Sequence, residues 1–484
     1  MQVISLSKQN RKCLALILKR KFVIWLFAWA LAVVNIASFA ADNTPQLVLD
    51  ISPGITGSNP EKMVNFKGEV YFFAEDDEGK GLWKSDGTAN GTLRLLLIMP
   101  NTPGAYAGEL IAMQDKVFFR LRPPGLATLL SDELWVTTGT PQSTEKFFTL
   151  PPTYSAGNNA LFTHVNNKIY FRAFSSGAGG ELWVSDGTAA GTSLIADIKP
   201  GAMPSGLTKL FDVNGELFLA LKLSGPCELW KFDAVNEVAV QLKVFDDSWC
   251  TIVNRPVKSA GGLLYFISDT DGSGVALWVS DGTPVGTIAI DINSTGDSSP
   301  ELMTVVGDEV FFAATDNTGL TTLWKSNGTA QGTVNVSADV TPEESMSAFN
   351  GKLVFNAIAF ATSIFDKRLW ISNGEVGGTQ MIGTAVGSNI LYSLTTTNNA
   401  FYFIAGTGPN AELWTSKGTD ESTEFIADIV NVIGQKEMLG VGNKLFYSQS
   451  DTQHGEELWV ITTPEDSMCF PVKTSSGVVV VICL

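Results

Sequence analysis

Aspartate-rich loops are the first candidates for chemistry in this sequence of 484 residues. They contain glycine and lie between short apolar segments, as in EDDEGKG from Glu75 and SDTDGSG from Ser268. Carboxylates gathered on one face could hold Ca²⁺, which takes about six to eight oxygen ligands. The candidate ligand-binding residues are Asp76, Asp77, Asp269, Asp271, Asp316 and Asp451. Within DTDGSG, Asp269 and Asp271 are the candidate calcium ligands, although the spaced Glu of an EF-hand is missing.

Two other interpretations of these loops stay open. Asp and Gly are also the residues that make turns, so the carboxylates could serve only the backbone. Paired carboxylates can also hydrolyse glycosides, which keeps a carbohydrate-active enzyme among the hypotheses. Histidine-dependent catalysis has less support, because His164 and His454 are the only histidines and neither lies near a nucleophile signature such as GxSxG. We therefore assign no catalytic residue.

Tryptophan spacing indicates the elements that would position these loops. Nine tryptophans recur every 44 to 52 residues: Trp83, Trp135, Trp183, Trp230, Trp278, Trp324, Trp370, Trp414 and Trp459. A period of about 40 to 50 residues with strand-like content is typical of propeller blades. The tryptophans are therefore predicted to be structural residues, one in each blade.

Each period reads as four antiparallel strands. A short first strand leads through a Gly- and Asn-rich turn into a second strand, an acidic loop leads into a third strand such as ELW, and SDGT bends the chain into the fourth. In ELWVSDGT, Leu182 and Trp183 point to opposite faces, so both faces must be covered by neighbours. In this topology the acidic loops share a face with the links between blades, and the SDGT turns lie on the other face. The predicted fold is an all-β propeller of about nine blades, with two smaller propellers or an eight-bladed ring plus an irregular unit as alternatives.

The start of the repeat region predicts how the ring is closed. LVLDISPG from Leu47 matches LIADIKPG from Leu194, which is the fourth strand of a blade, while the last unit around Glu457 lacks a fourth strand. We therefore expect the N-terminal strand to complete the last blade, which would remove both exposed edges.

The first forty residues have a different character. Six basic residues precede an apolar run from Phe22 to Ala37 that ends in Ser38-Phe39-Ala40, which is typical of a secretory signal cleaved after Ala40. An uncleaved anchor helix is the alternative. We divide the chain into a signal peptide (1–40), the propeller (41–463) and a C-terminal tail (464–484), and expect no transmembrane segment after the signal is removed.

Removing the signal leaves 26 of the 32 basic residues against 49 acidic ones, a net charge of −23. So acidic a surface argues against nucleic acid as a partner. Four cysteines would remain, Cys227, Cys250, Cys469 and Cys483, and an even number in an exported chain favours two disulfides. Proximity favours Cys227 with Cys250 and Cys469 with Cys483, the latter closing a hairpin in the tail.

With these residues in hand, the chain resembles the bacterial ELWxxDGT-repeat proteins, a hyalin-like repeat group. The motif occurs as ELWVSDGT at Glu181, ALWVSDGT at Ala276, GLWKSDGT at Gly81 and TLWKSNGT at Thr322. The resemblance implies a repeat-built protein that is secreted, periplasmic or on the cell surface, and it transfers no activity.

The leading functional hypothesis is a monomeric binding scaffold, more plausibly a non-enzyme, that presents its acidic loop face to a protein or glycan, with calcium as a conceivable cofactor. A carbohydrate-active hydrolase or lyase and a structural surface-layer protein are the alternatives.

Overall fold

The computed structural model describes residues 43–99, 106–122, 131–151, 161–175, 177–201, 203–222, 225–245, 255–269, 274–360, 367–386, 391–406, 411–429, 437–463, 469–473 and 479–483. The predicted signal peptide, residues 1–40, lies outside this part of the chain. So do Asp271 and Cys250. In the described residues, no helix has the length and apolarity needed to cross a membrane.

Nine four-stranded antiparallel sheets form the blades of a β-propeller. Blades 1 to 3 consist of β2 (Glu61–Phe66), β3 (Glu69–Asp76), β4 (Gly79–Ser85) and β5 (Leu93–Met99); β6 (Tyr106–Ala112), β7 (Val117–Arg122), β8 (Glu133–Thr137) and β9 (Glu145–Thr149); and β10 (Phe162–Val165), β11 (Lys168–Ser175), β12 (Gly179–Ser185) and β13 (Ser193–Ala196). Blades 4 to 6 consist of β14 (Leu207–Val213), β15 (Glu216–Leu221), β16 (Cys227–Asp233) and β17 (Val238–Phe245); β18 (Lys258–Ala260), β19 (Leu263–Asp269), β20 (Val275–Ser280) and β21 (Ile288–Ile290); and β22 (Glu301–Val306), β23 (Glu309–Thr315), β24 (Thr321–Ser326) and β25 (Val334–Ser337). Blades 7 to 9 consist of β26 (Val340–Phe349), β27 (Lys352–Ala359), β28 (Lys367–Ser372) and β29 (Thr379–Ile382); β30 (Leu391–Thr396), β31 (Phe401–Ala405), β32 (Ala411–Ser416) and β33 (Glu424–Ile429); and β34 (Met438–Val441), β35 (Lys444–Asp451), β36 (Gly455–Thr462) and β1 (Gln46–Leu47).

The blades are arranged in one ring. First strands of neighbouring blades lie side by side, as β10 does with β14 and β30 with β34, and β34 also lies beside β2 of the first blade. The prediction of about nine blades is therefore confirmed, and the fourth unit, which lost its SDGT sequence, is a complete blade. Single-turn 3₁₀ helices cover Pro141–Ser143 and Thr384–Val386.

The ninth sheet has the strand order β1-β36-β35-β34. Gln46 pairs with Val460 and Leu47 with Trp459, and the Val48 amide donates to the Leu458 carbonyl over 3.0 Å. The match between LVLDISPG and LIADIKPG predicts closure of the ring by this segment, and that closure stays a prediction. The strand is short, with two residues in the ladder.

Apolar clusters lie between consecutive blades. Trp183 of blade 3 stacks on Phe171 of its own sheet and lies in a buried cluster that includes Phe118 of blade 2. Trp83 belongs to a cluster that includes Phe446 of blade 9, and Trp278 to one that includes Phe245 of blade 4. The tryptophans at the other blade positions are buried or half-buried. Because both faces of each sheet are covered in this way, second strands such as β3 are almost entirely buried.

The SDGT turn is held by its own residues. Asp86 Oδ1 accepts from the Thr88 amide at 2.8 Å and from the Thr88 hydroxyl at 2.7 Å. The same contacts recur at Asp186 and Asp281, and Asn327 makes them with its amide oxygen. A side chain on Gly91 would collide with the Asp86 carboxylate, which explains the second glycine of the motif. These contacts agree with a structural role for the motif.

The tail forms a separate two-stranded hairpin of β37 (Cys469–Lys473) and β38 (Val479–Cys483), in which Cys469 and Cys483 are opposite each other in the backbone register. Cys227 is almost completely buried at the start of β16. The two disulfides stay predictions.

Candidate functional site

The loop aspartates predicted to bind a ligand serve mostly as acceptors for their own turns. Asp76 Oδ1 accepts from the amides of Glu78 and Gly79, and Asp316 Oδ1 accepts from the Thr318 amide at 2.8 Å. Asp451 Oδ1 accepts from the amides of Gln453 and His454. Each carboxylate lies at or just after the end of a second strand, where it replaces ladder bonds that the bend interrupts.

Electrostatics of these turns follow from those bonds. The hydrogen bond from the Thr318 hydroxyl lowers the pKa of Asp316, and the hydrogen bond from His454 lowers the pKa of Asp451. Asp76 also forms an ion pair with Arg94, which bridges to Glu78. Much of the acceptor capacity of Asp76, Asp316 and Asp451 is therefore used within the loops themselves.

The remaining predicted ligands give no cluster. Asp77 is exposed, and the Oδ1 atom of Asp269 is buried without a hydrogen-bond partner in the described structure. Asp271 lies outside the described residues. No group of three or more His, Cys, Asp or Glu side chains that could hold a metal ion occurs in the part of the chain that the structure describes. Calcium binding at Asp269 and Asp271 stays a prediction without a coordination set to support it.

Both histidines are engaged close to their own positions in sequence. His164 Nε2 accepts from the Asn167 amide at 3.2 Å in the turn after β10. His454 Nδ1 lies 2.7 Å from Asp451 Oδ2, and this hydrogen bond raises the pKa of His454. Neither arrangement places an imidazole beside a serine or cysteine nucleophile.

A second candidate site lies at the central channel, on the face that carries the links between blades. Several first strands have a β-bulge close to their N-terminal end, where one or two residues have no partner in the ladder. The bulge places Lys62 (φ 56°), Leu302 (φ 56°) and Ser393 (φ 50°) in the left-handed region, which non-glycine residues seldom adopt. Glu344 of blade 7 has a φ of 45° one residue earlier in the corresponding bulge. Strained residues at matching positions in several blades are often found where a protein binds a ligand.

The bulge of blade 1 binds a carboxylate. Glu437, which precedes β34 in blade 9, accepts from the Lys62 amide at 2.8 Å and from the Met63 amide at 2.5 Å, one to each carboxylate oxygen. Two consecutive backbone N–H groups aimed at one point form a concave anion site. The bulge therefore has the geometry to receive a carboxylate.

Side chains that reach from one first strand to the next hold the channel wall. Lys62 Nζ donates to the Gly108 carbonyl of blade 2 at 3.0 Å, and Lys209 Nζ donates to the Arg255 carbonyl over 3.3 Å. Burial lowers the pKa of Lys209. Threonine hydroxyls make similar bonds, such as Thr163 to the Leu210 carbonyl over 3.1 Å. These cross-links fix the spacing of the bulges around the channel.

A cavity of about 440 Å³ opens along blades 5 to 9 at the level of the bulges. Apolar parts of its wall include Met303, Met346 and Met438, and polar parts include the following residues: Lys258, Thr304, Glu344, Ser393, Thr395 and Glu437. The Ser393 hydroxyl oxygen is buried and has no hydrogen-bond partner among the described residues.

The two glutamates of this cavity have partners, whereas its lysine has no carboxylate partner in the described structure. Glu344 forms an ion pair with Lys367 at 2.5 Å. Burial opposes the charge on Lys367, but its hydrogen bond to Glu344 and the charges of Glu344 and Glu343 raise its pKa overall. Glu437 is bound by the two amides of blade 1. Lys258 has no carboxylate partner in the described structure.

The glutamates of the ELW motif show a further feature that the sequence analysis missed. Glu181 is fully buried and accepts from the amides of Ile198 and Ser205, at 2.9 and 2.6 Å, in the link that follows β13. Glu457 is equally buried and accepts from the Ser52 amide at 3.0 Å and the Ser58 hydroxyl at 2.6 Å. We call these two arrangements the link latches of blades 3 and 9. Burial raises the pKa of both carboxyl groups.

In other blades the same glutamate turns towards its tryptophan. Trp135, Trp230 and Trp414 donate their indole N–H to Glu133, Glu228 and Glu412, two residues earlier. The indole N–H groups of Trp183 and Trp459 have no such partner among the described residues, because their glutamates hold a link instead. The signal available in the sequence was the shared DI-x-PG segment followed by Ser58 or Ser205.

The nine sheets define a nine-bladed β-propeller. Comparison with solved structures gives similarities of low sequence identity. The propeller domain of the Trilobed protease from Pyrococcus furiosus, described as having an open velcro topology, is 13% identical over 67% of this chain and 98% of that chain, with a TM-score of 0.35. A prolyl endopeptidase structure is 10% identical over 84% of this chain (TM-score 0.43), and oligopeptidase B from Leishmania major is 9% identical over 82% (TM-score 0.39). The chain spans about half the length of these two peptidases, 55% and 54%.

No protein-family model matches this sequence, and no curated protein is significantly similar to it. The resemblance to ELWxxDGT-repeat proteins therefore rests on the quoted motifs alone.

Proposed function

We propose that this protein is an exported binding scaffold and that its ligand, a protein or a glycan, enters the channel cavity from the face that carries the blade links. The observation that supports this is the 440 Å³ cavity, which combines methionine side chains with hydroxyl groups and charged groups. Ligand sites usually consist of an apolar surface with a few polar groups that fix orientation. Export rests on the N-terminal sequence pattern.

A binding role accounts for the wall better than catalysis does. A glycosidase needs a pair of free carboxyl groups on either side of the reacting bond. The two glutamates that line the cavity are already engaged, Glu344 by Lys367 and Glu437 by the amides of Lys62 and Met63. Within the cavity wall, the Thr304 and Thr395 hydroxyls donate to the Met346 and Met438 carbonyls of the next blade, which suits a preformed site.

The test compares ligand binding by two variants, one that fills the channel cavity on the link face and one that fills a cavity on the opposite face. Ser345→Trp would place an indole in the cavity on the link face. Ser259→Trp is the matched control, because Ser259 lines a separate cavity of about 650 Å³ among the hairpin turns on the opposite face. Purified wild type and both variants would be applied to peptide and glycan arrays, after thermal unfolding shows that all three are folded.

We expect the wild type and Ser259→Trp to bind the same ligands and Ser345→Trp to lose them. Equal binding by all three proteins would place the site elsewhere, and the acidic loops would be the next candidate. Turnover of a bound oligosaccharide that disappears in Glu344→Gln or Glu437→Gln would favour the enzyme hypothesis instead.

A further inference from the structure

Blade 1 shows what the bulges of the channel bind when a suitable group is present. Its Lys62 and Met63 amides each donate to one oxygen of Glu437, a residue of the preceding blade in the ring. Two residues after Lys62, Val64 pairs with Tyr71 of the second strand. This pairing gives a register by which the other blades can be compared.

The bulges of blades 6 and 8 have the same register. Thr304 pairs with Phe311, and Thr395 pairs with Tyr402, each two residues after a left-handed residue. The ladder skips the residues in between, as it does in blade 1. The amides of Leu302–Met303 and Ser393–Leu394 therefore occupy the positions that Lys62 and Met63 hold against Glu437.

What differs is the residue that the preceding blade supplies. Glu437 lies two residues before Leu439, which corresponds in register to Lys258 of blade 5 and Ser347 of blade 7. The residues equivalent to Glu437 are therefore Pro256 before blade 6 and Ser345 before blade 8. Neither can supply a carboxylate. Both bulges line the 440 Å³ cavity, and so do Pro256 and Ser345.

Two further features of the cavity favour an anion. Lys258 lies in its wall without an ion-pair partner among the described residues, and the Ser393 hydroxyl oxygen is buried without a partner. Either group can donate a hydrogen bond to an anion, and Lys258 of blade 5 is the one that neighbours the bulge of blade 6. Next to them, the flexible thioether side chains of Met303, Met346 and Met438 offer an adaptable apolar wall.

We infer that the channel cavity binds the C-terminal residue of a polypeptide, with its carboxylate on the Leu302 and Met303 amides of the blade 6 bulge, beside Lys258, and its apolar side chain against the methionines. Capture of a terminal carboxylate by backbone N–H groups is a known mode of peptide recognition. An acidic sugar carries the same carboxylate but matches the methionine wall less well. The inference rests on the proposed binding function and names the ligand chemistry of that site.

The experiment uses the purified chain and a fluorescent pentapeptide ending in leucine, with either a free or an amidated C-terminus. Fluorescence anisotropy should show binding of the free acid and at least about tenfold weaker binding of the amide, since a lost charge-assisted hydrogen bond is worth a factor of ten or more. Lys258→Met should weaken the free acid by a similar factor. Lys352→Met, an exposed lysine beside a hairpin turn on the opposite face, should have no effect.

A second pair of variants tests the bulges by changing the residues that face them. Pro256→Glu with Ser345→Glu places a carboxylate at both positions equivalent to Glu437, so the protein would cap its own bulges and lose the peptide. The matched variant with Gln at both positions lacks that charge and should retain binding. Thermal unfolding of every variant would show that the ring is folded.

Equal affinity for acid and amide, or retained binding in the double Glu variant, would overturn the assignment. So would saturation by glucuronate with no affinity for the peptide, which would assign the carboxylate to a sugar. If the arrays find a ligand that Ser345→Trp abolishes but Lys258→Met and the double Glu variant do not affect, the scaffold stands and the carboxylate inference fails.

Discussion

The link latches of blades 3 and 9 are made of the same parts but lie in different places in the chain. In blade 3, Glu181 binds Ser205, 24 residues further along. In blade 9, Glu457 binds Ser58, which is 399 residues away. The first latch shapes a link that is already tethered at both ends by its blades. The second latch holds the N-terminal segment, which is paired in the ladder of blade 9 only through the two-residue strand β1.

The same glutamate contact can therefore stabilise either a single link or the junction between the last blade and the first. Around Glu181, β13 is held by its own pairing with β12, so we expect it to stay in the sheet when the latch is lost. Around Glu457, the Ser52 amide, the Ser58 hydroxyl and the buried Val48 all belong to the segment that joins the last blade to the first. We therefore expect damage to the ninth blade to spread along the ring and damage to the third blade to stay local.

Removal of the N-terminal segment should have the largest effect. Deletion of residues 43–59 takes away Val48 and Ile51, which are 3% and 6% exposed, together with the ligands of Glu457. Burying such a side chain contributes about 1.5–3 kcal/mol, so the free energy of unfolding should fall by at least about 3 kcal/mol. Chemical denaturation would measure this.

A peptide spanning residues 43–59 added to the truncated protein should restore part of the lost stability, and the same peptide with Val48→Asp should not. Truncated and full-length proteins that unfold at the same denaturant concentration would argue against ring closure through this segment.

Substitution of the two latch glutamates should come next in size. A glutamine cannot accept at both positions, so Glu457→Gln should cost about 2–3 kcal/mol and Glu181→Gln about 1–2 kcal/mol at neutral pH. Amide hydrogen exchange would show which segments lose protection in each variant. In Glu457→Gln it should accelerate in β36 as well as in the link, whereas in Glu181→Gln it should accelerate only in residues 197–206. Exchange confined to the link in both variants would remove the distinction between the latches.

The two serines should separate the latches further. The Ser58 hydroxyl donates to a carboxylate at 2.6 Å, while the Ser205 hydroxyl donates to the Gly180 carbonyl at 3.1 Å. A bond to a charged acceptor contributes about 1.5–3 kcal/mol and a neutral one about 0.5–1.5 kcal/mol. Ser58→Ala should therefore be the more damaging change in a thermal unfolding experiment. The reverse order would mean that the Glu181 latch depends on its serine hydroxyl.

The smallest expected effect is the pH dependence. Burial raises the pKa of Glu181 and Glu457 above the ordinary value of 4.5. The folded protein then holds these protons more tightly than the unfolded chain, so their contribution to stability is complete below pH 4.5 and is lost as pH rises through the folded pKa. The cost of Glu457→Gln should therefore shrink between pH 4.5 and neutral pH. A cost that grows over this range would mean that the hydrogen bonds outweigh burial.

The sequence allowed the fold to be predicted because its signals are local and repeated. The Gly-Asn turns and SDGT depend on neighbours within a few residues, and the tryptophan spacing can be recognised because the unit is repeated nine times. The roles of the loop aspartates were also foreseen as one alternative, since Asp76, Asp316 and Asp451 bind amides two or three positions away.

The channel site could not be foreseen in the same way. The left-handed conformations of Lys62, Leu302 and Ser393 arise from bulges in the crowded first strands, and the three residue types have no common preference for them. Similarly, the ELW motif itself does not distinguish Glu181, which binds a link, from Glu412, which binds an indole. The difference lies in the DI-x-PG segment that follows only in the first case. The partner depends on how the following link returns to its blade, which is a tertiary property.

The SDGT turn has one more consequence. Its bend is set mainly by contacts among Ser85, Asp86, Thr88 and Thr92. The neighbouring blade adds a bond from Lys444 Nζ to the Asp86 carbonyl. A repeat whose turn is formed largely by its own residues can be duplicated as a unit, because each copy contains the residues that form the turn. The number of units is then limited at the centre of the ring, because each added unit would widen the opening that the first strands line.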